Sequence, residues 1–126
     1  MVKPTQQLYE QALKDLRDRL VQELAEELEA VIVYGSVARK DADADSDIDV
    51  LIITPHKQAI YRRAFAISSE VDLKYETVTT LIFYTPEEFR DCAVRGDPLL
   101  QEVLREGRAI YGEERFRSYQ GALQIS

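Results

Sequence analysis

The sequence predicts an α/β (α+β) fold in which helices pack on a small mixed β-sheet. Three observations predict it: a leucine stripe at helical spacing, β-branched runs that follow it, and helix-start signals after the last of them. Leu13, Leu16, Leu20, Leu24 and Leu28 recur at steps of three and four, which marks an amphipathic helix over roughly residues 5–29. Thr5, after Pro4, is its expected N-cap. Ala30-Val31-Ile32-Val33-Tyr34 is a short apolar run ending at Gly35 and reads as a buried strand. A turn and a polar loop rich in Asp and Ala run from Lys40 to Ser46. Asp47 to Ile53 is a second β-branched run, closed by Thr54-Pro55. Ile60, Ala64, Ile67 and Val71 share one helix face, so roughly residues 56–74 are expected to be helical. Thr77 to Tyr84 is the third strand. Thr85-Pro86-Glu87-Glu88 then combines a Thr N-cap, Pro in the first turn and Glu three residues after the cap. Asp97-Pro98 opens another helix whose Leu99, Leu100, Val103 and Leu104 face the core and which stops near Gly107. Arg108 to Tyr111 is a short fourth strand at an edge.

The chain has 126 residues, and one domain is expected over 1–126, with its core at about 30–112. No apolar run approaches the ~20 residues of a membrane helix, and the N-terminus lacks the apolar stretch of a signal peptide. With the single cysteine Cys92 there is no internal disulfide, and a cytoplasmic address is the expectation. Net charge is −7 and the positive charge is scattered, which argues against long nucleic acid as a partner. A nucleotide remains compatible with an acidic protein, because a metal ion can supply positive charge locally.

Chemistry concentrates between Val33 and Asp49. Gly35 ends a strand and Ser36 begins a helical turn, so backbone N–H groups and a hydroxyl are offered where glycine permits close approach of a phosphate. Asp47 and Asp49, two apart on the expected strand, project their carboxylates from one face, while Ile48 and Val50 point into the core. Paired carboxylates are hard oxygen ligands suited to Mg²⁺, which also recruits substrate phosphates. The acids Asp41, Asp43 and Asp45 do not extend this pair into a calcium loop. An EF-hand needs Gly at its sixth position and Glu at its twelfth. Those positions are Ser46 and Ile52 counting from Asp41, and Ile48 and Thr54 counting from Asp43.

Gly35-Ser36, the ten residues Val37 to Ser46, and Asp47-Ile48-Asp49 together resemble the signature of the polymerase-β-like nucleotidyltransferases. The chain is most similar to their small prokaryotic members, the minimal nucleotidyltransferases. It shares with them Gly-Ser-Val-Ala-Arg at 35–39, Ser-Asp-Ile-Asp at 46–49 and Tyr-Thr-Pro-Glu-Glu-Phe at 84–89. The resemblance implies a polymerase-β palm-like fold, with Gly35 and Ser36 on the triphosphate and Asp47 and Asp49 as catalytic ligands of one or two Mg²⁺ ions. It implies transfer of a nucleotidyl group, AMP from ATP, to a hydroxyl. It also implies a small helical HEPN-type protein as partner, the pair acting as toxin and antitoxin, or self-association. A catalytically weak module that neutralises such a partner by binding alone is the competing expectation. The family places a third carboxylate on a later strand. Counting from Pro86, that position is Thr80, and Thr77 to Tyr84 contains no acid. Asp72 or Glu76 would be the substitute if the strand begins earlier. Arg39 is expected to brace the turn rather than to touch substrate, and His56 and the Glu23–Glu29 cluster read as surface.

Overall fold

The computed structural model describes residues 5–123. Its elements run α1 (Gln6–Leu24), β1 (Ala30–Tyr34), α2 (Gly35–Arg39), β2 (Ile48–Ile53), α3 (Lys57–Tyr75), β3 (Thr79–Tyr84), α4 (Pro86–Val94), α5 (Pro98–Glu106), β4 (Arg108–Tyr111) and α6 (Glu113–Leu123). The four strands form one sheet in the order β3-β2-β1-β4. β1 pairs antiparallel with β2 and β4, whereas β2 and β3 run parallel, so the sheet is mixed as expected.

Both faces of the sheet are covered, and strand alternation sorts the residues between them. Val31 and Val33 of β1 and Ile48, Val50 and Ile52 of β2 meet α1 and α3 through Leu13, Leu16, Leu20, Ile60, Ala64 and Val71. Ala30, Ile32, Leu51 and Ile53 face the other way, onto Phe89 of α4, Leu100, Val103 and Leu104 of α5, and Phe116 and Tyr119 of α6. Two-sided burial explains why β1 and β2 read as continuous apolar runs rather than as alternating ones.

Two expectations need correction. The first helix ends at Leu24 rather than near residue 29, and a single 3₁₀ turn, Ala25–Glu27, follows it. Leu28 is already extended, and the Glu29 N–H donates to the Ile53 carbonyl at 2.8 Å, so sheet pairing captures the end of the leucine stripe. The helix α6 was not anticipated. Only Phe116 and Tyr119 are buried on it, too few apolar positions to declare a period from sequence. The other starts follow their caps. Thr85 and Glu88 form a reciprocal capping box on α4, and Asp97 accepts from the Leu99 and Leu100 N–H groups at the head of α5.

Candidate functional site

The site is built at the junction of β1 and α2. Tyr34 is extended, Gly35 has φ of +75°, and the chain then turns at once into α2. No side chain caps the first turn of α2. Its leading amides are therefore directed outward without an internal acceptor. Lys40, left-handed at φ 65°, ends the helix by donating its N–H to the Ser36 and Val37 carbonyls.

Asp49 lies opposite Tyr34 in the β1–β2 ladder and opposite Thr80 in the β2–β3 ladder. Its carboxylate reaches over Gly35, and a Cβ built on that glycine would stand 2.5 Å from Asp49 Oδ2. The two parts of the motif thus touch. Positive φ and this contact both demand glycine, for separate reasons. Asp47 falls one residue before β2, not inside it, and is exposed. The expectation of two strand residues on one face is corrected to one strand residue, Asp49, and one exposed residue at the strand entrance. Ile48 and Val50 are buried on the α1–α3 side.

Burial raises the Asp49 carboxyl above the ordinary carboxylate range, the charges of Asp47 and Glu102 raise it further, and Arg39 opposes them. Burial also lifts the Tyr34 phenol to about 12, aided by Asp49 and Glu102. Sequence reasoning did not single out Glu102. It projects from α5 toward Arg39, whose Nη1 lies 3.8 Å from it and 3.2 Å from Glu106, while Arg39 Nε reaches Asp41 at 3.3 Å. Arg39 thereby ties α2 to α5. The one signal for Glu102 in the sequence was its four-residue spacing from Glu106.

A raised carboxyl has a defined effect on stability. The folded-state value of Asp49 exceeds the ordinary one of about 3.9, so its contribution is greatest below that pH and is lost as pH rises through the raised value. Asp49→Asn, nearly isosteric, removes this burden. The expected result is a Tm at pH 7.5 a few degrees above wild type, with the gap closing toward pH 4. Screening at a half-buried carboxylate keeps the effect below about 1 kcal/mol. Differential scanning calorimetry at the two pH values checks it, and a variant less stable than wild type at pH 7.5 would refute the account.

The loop before Asp47 is held by its own polar groups. Asp43 Oδ1 accepts from the Asp45 N–H at 2.9 Å and from Ser46 Oγ, while Ser46 Oγ accepts from the Asp43 N–H at 3.0 Å. The buried Tyr9 of α1 places its hydroxyl 3.0 and 2.9 Å from the Asp43 and Ser46 carbonyls. Gln6 Nε2 donates to the Val37 carbonyl. The first helix therefore positions both halves of the motif, a role its leucine stripe did not disclose. Tyr9→Phe is expected to cost about 1–2 kcal/mol in urea unfolding by removing the one hydroxyl proton that the two carbonyls share. Unchanged stability would show that water replaces the hydroxyl.

Thr80 is exposed and stands in register beside Asp49, so the position expected for a third carboxylate is the right neighbour and holds a hydroxyl. Asp72 does not substitute. Its oxygens accept from Thr77 Oγ1 and Thr79 Oγ1 at 2.7 Å each and from the Thr79 N–H at 2.9 Å, which seals the entrance to β3. Glu76 is the left-handed C-cap of α3. Among the described residues, no three His, Cys, Asp or Glu side chains are grouped to hold a metal ion. A groove of about 440 Å³ lies elsewhere, between α3 and β3.

A strand–glycine–helix turn set against an acidic strand, on a mixed sheet sheathed by helices, defines a class. The chain belongs to the nucleotidyltransferase domain family, whose model matches residues 13–111, and it is a transferase of that class. Two proteins of Methanocaldococcus jannaschii are similar to it. "Putative protein adenylyltransferase MJ0141" is 32% identical over 74 residues, which is 57% of this chain and 75% of that protein. "Putative protein adenylyltransferase MJ0604" is 28% identical over 102 residues, 81% of this chain and 97% of that one. Among solved structures, a toxin–antitoxin crystallised with AMP-PNP superposes with a TM-score of 0.59 at 14% identity, covering 87% of this chain and 82% of its own. A mutant of the toxin–antitoxin MntA-HpeT gives 0.55 at 14% identity over 84% and 78%. These likenesses show the shared fold. Among the described residues no helix is long and apolar enough to cross a membrane.

Proposed function

We propose that this domain transfers AMP from ATP to a hydroxyl on a protein, with Mg²⁺, as the antitoxin half of a pair with a HEPN-type toxin. The observation that supports this reading is the closeness of Gly35 to the Asp49 carboxylate, which would set a phosphate cradle against an acidic pair. Asp47 and Asp49 fit a hard divalent cation. They are oxygen donors two residues apart, and Asp49 is held unfavourably charged by burial and by Asp47 and Glu102. Bound Mg²⁺ would supply the positive charge that draws a triphosphate to this acidic protein and steadies charge on the transferred group.

The chain's own residues do the rest. The amides of the Gly35–Ser36 turn and the Ser36 hydroxyl hold the β- and γ-phosphates and orient the α-phosphorus. The acceptor oxygen forms the new bond to that phosphorus, the bond to the bridging oxygen breaks, and pyrophosphate leaves. Thr80 cannot take the acceptor's proton, which passes to the Asp49 carboxylate or to solvent. The adenylyltransferase names of the two relatives and the toxin–antitoxin neighbours support the protein acceptor and the partner.

Thr80 favours a second reading, in which the domain binds nucleotide and neutralises its partner by binding, with little turnover. Calorimetric titration of ATP into the protein, in Mg²⁺ and then in EDTA, tests the site common to both. Binding that requires Mg²⁺ and disappears in Asp47→Ala supports it, and equal binding in both buffers refutes it. Neutralisation of a co-expressed HEPN protein that survives Asp47→Ala with Asp49→Ala would select the second reading.

A further inference from the structure

The two edges of the sheet are unlike. β4 is four residues long, begins with Arg108, pairs with β1 through a register shift and is packed by α1 and α6. Such features blunt an edge against further pairing. β3 is also packed by helices, α3 and α4, but it is longer, uncharged and unshifted. Val78-Thr79-Thr80-Leu81-Ile82-Phe83-Tyr84 carries no charge and no proline, and its ladder to β2 runs without a shift from Thr79 to Tyr84. The Ile48 N–H donates to the Val78 carbonyl and the Thr54 N–H to the Tyr84 carbonyl. In a parallel ladder this parity turns the even-numbered residues of β3 toward β2 and the odd ones outward. Thr79 spends its N–H on Asp72, whereas Leu81 lies at the centre of the run with both backbone groups directed at the open edge.

The helix beside this edge is built to a matching pattern. Arg62, Phe65, Ser69 and Leu73 follow one another at steps of three, four and four along the outer side of α3, and Glu76, its left-handed C-cap, comes three residues later. Phe65 is 43% and Leu73 83% exposed, unusual for large apolar side chains, and Val78 at the strand entrance is 59% exposed. The stripe is symmetric about Ser69. A two-fold axis there would set Phe65 of one copy on Leu73 of the other and bring the Arg62 cation toward the Glu76 carboxylate; Arg62 lies against its neighbour Tyr61, and neither charge has an ion-pair partner among the described residues.

Strand and helix place the same axis. Phe65 packs on Phe83, with ring centroids 5.6 Å apart. From that point, four helical residues to Ser69 rise about 6 Å, and two strand residues to Leu81 span about 6.6 Å in the same direction. The centre of the apolar helix stripe therefore lies level with the centre of the neutral strand. We propose that the open edge of β3 and the outer face of α3 form a two-fold interface with a second copy of this chain, pairing the β3 strands antiparallel about Leu81 and Phe65 with Leu73 across the axis. The two sheets would join as one of eight strands. The self-complementary charges favour a second copy over an unrelated partner.

Sedimentation velocity on the full chain, up to about 100 μM, tests this. The expected result is a dimer whose dissociation constant rises at least about ten-fold in Leu73→Asp and in Arg62→Glu, with unchanged circular dichroism. Both positions are on the helix surface, so folding is preserved. Arg62→Glu combined with Glu76→Arg restores the dimer. A wild type that stays monomeric, a dimer indifferent to Leu73→Asp, or a charge swap that fails to rescue would each overturn the proposal. So would a monomer that uses this edge only for a heterologous protein.

Discussion

Gly35→Ala is expected to abolish Mg²⁺-dependent ATP binding and to lower Tm by roughly 8–12 °C, about 2–3 kcal/mol at this chain length. Two costs combine. Alanine at φ +75° is strained by about 1 kcal/mol, and its Cβ would meet Asp49 Oδ2 at 2.5 Å, so the carboxylate or the turn must move. Either movement separates the proposed phosphate cradle from the acidic pair. Gly96 provides the control, because it has the same backbone region at φ +79° and a Cβ there would meet nothing within 4 Å. Gly96→Ala should therefore lose about 1 kcal/mol through strain alone and leave ATP binding intact. Thermal unfolding and titration calorimetry on the two variants separate the effects. Equal Tm losses would show that the Asp49 contact contributes nothing.

The second large effect is a gain. Thr80→Asp sets a carboxylate beside Asp49 in the β2–β3 register, where this chain has a hydroxyl. In EDTA the like charges of residue 80, Asp49 and Asp47 repel, and a Tm fall of a few degrees is expected. With Mg²⁺ the variant should recover that loss and bind ATP about ten-fold more tightly than wild type, because a third anionic ligand joins the two proposed ones. Release of pyrophosphate should rise by about 10²-fold as the acceptor hydroxyl acquires a base. A variant with unaltered Mg²⁺ dependence of Tm would show that residue 80 does not reach the ion, whatever its register. A variant that binds better without faster turnover would show that positioning of the acceptor, not its deprotonation, limits the reaction.

The strands β1 and β2, the capping box of α4, the Asp97 start of α5 and the Gly35–Ser36 turn were all legible in sequence, because each is set by neighbours a few residues away. The same holds for the candidate residues Gly35, Ser36, Asp47 and Asp49, whose spacing lies within fifteen residues of chain. Local pattern failed where a distant segment intervened. Pairing of Glu29 with Ile53 cut the first helix short, and α6 is held by two aromatic side chains on the core under α4 and α5.

What only the tertiary structure decided is which groups meet. Register between β2 and β3 put Thr80 rather than an acid beside Asp49, and packing of α5 brought Glu102 into the field of Asp49. The hydroxyl of Tyr9, more than thirty residues away in sequence, supports the loop before Asp47. The order β3-β2-β1-β4 left one protected edge and one open one. The sequence by itself determined the elements and the chemical type of the motif, since helix period, strand alternation and caps are short-range. Alignment of strands and helix faces is a long-range outcome of burying one apolar surface against another, so the surroundings of the motif and the open edge emerge only in the folded chain.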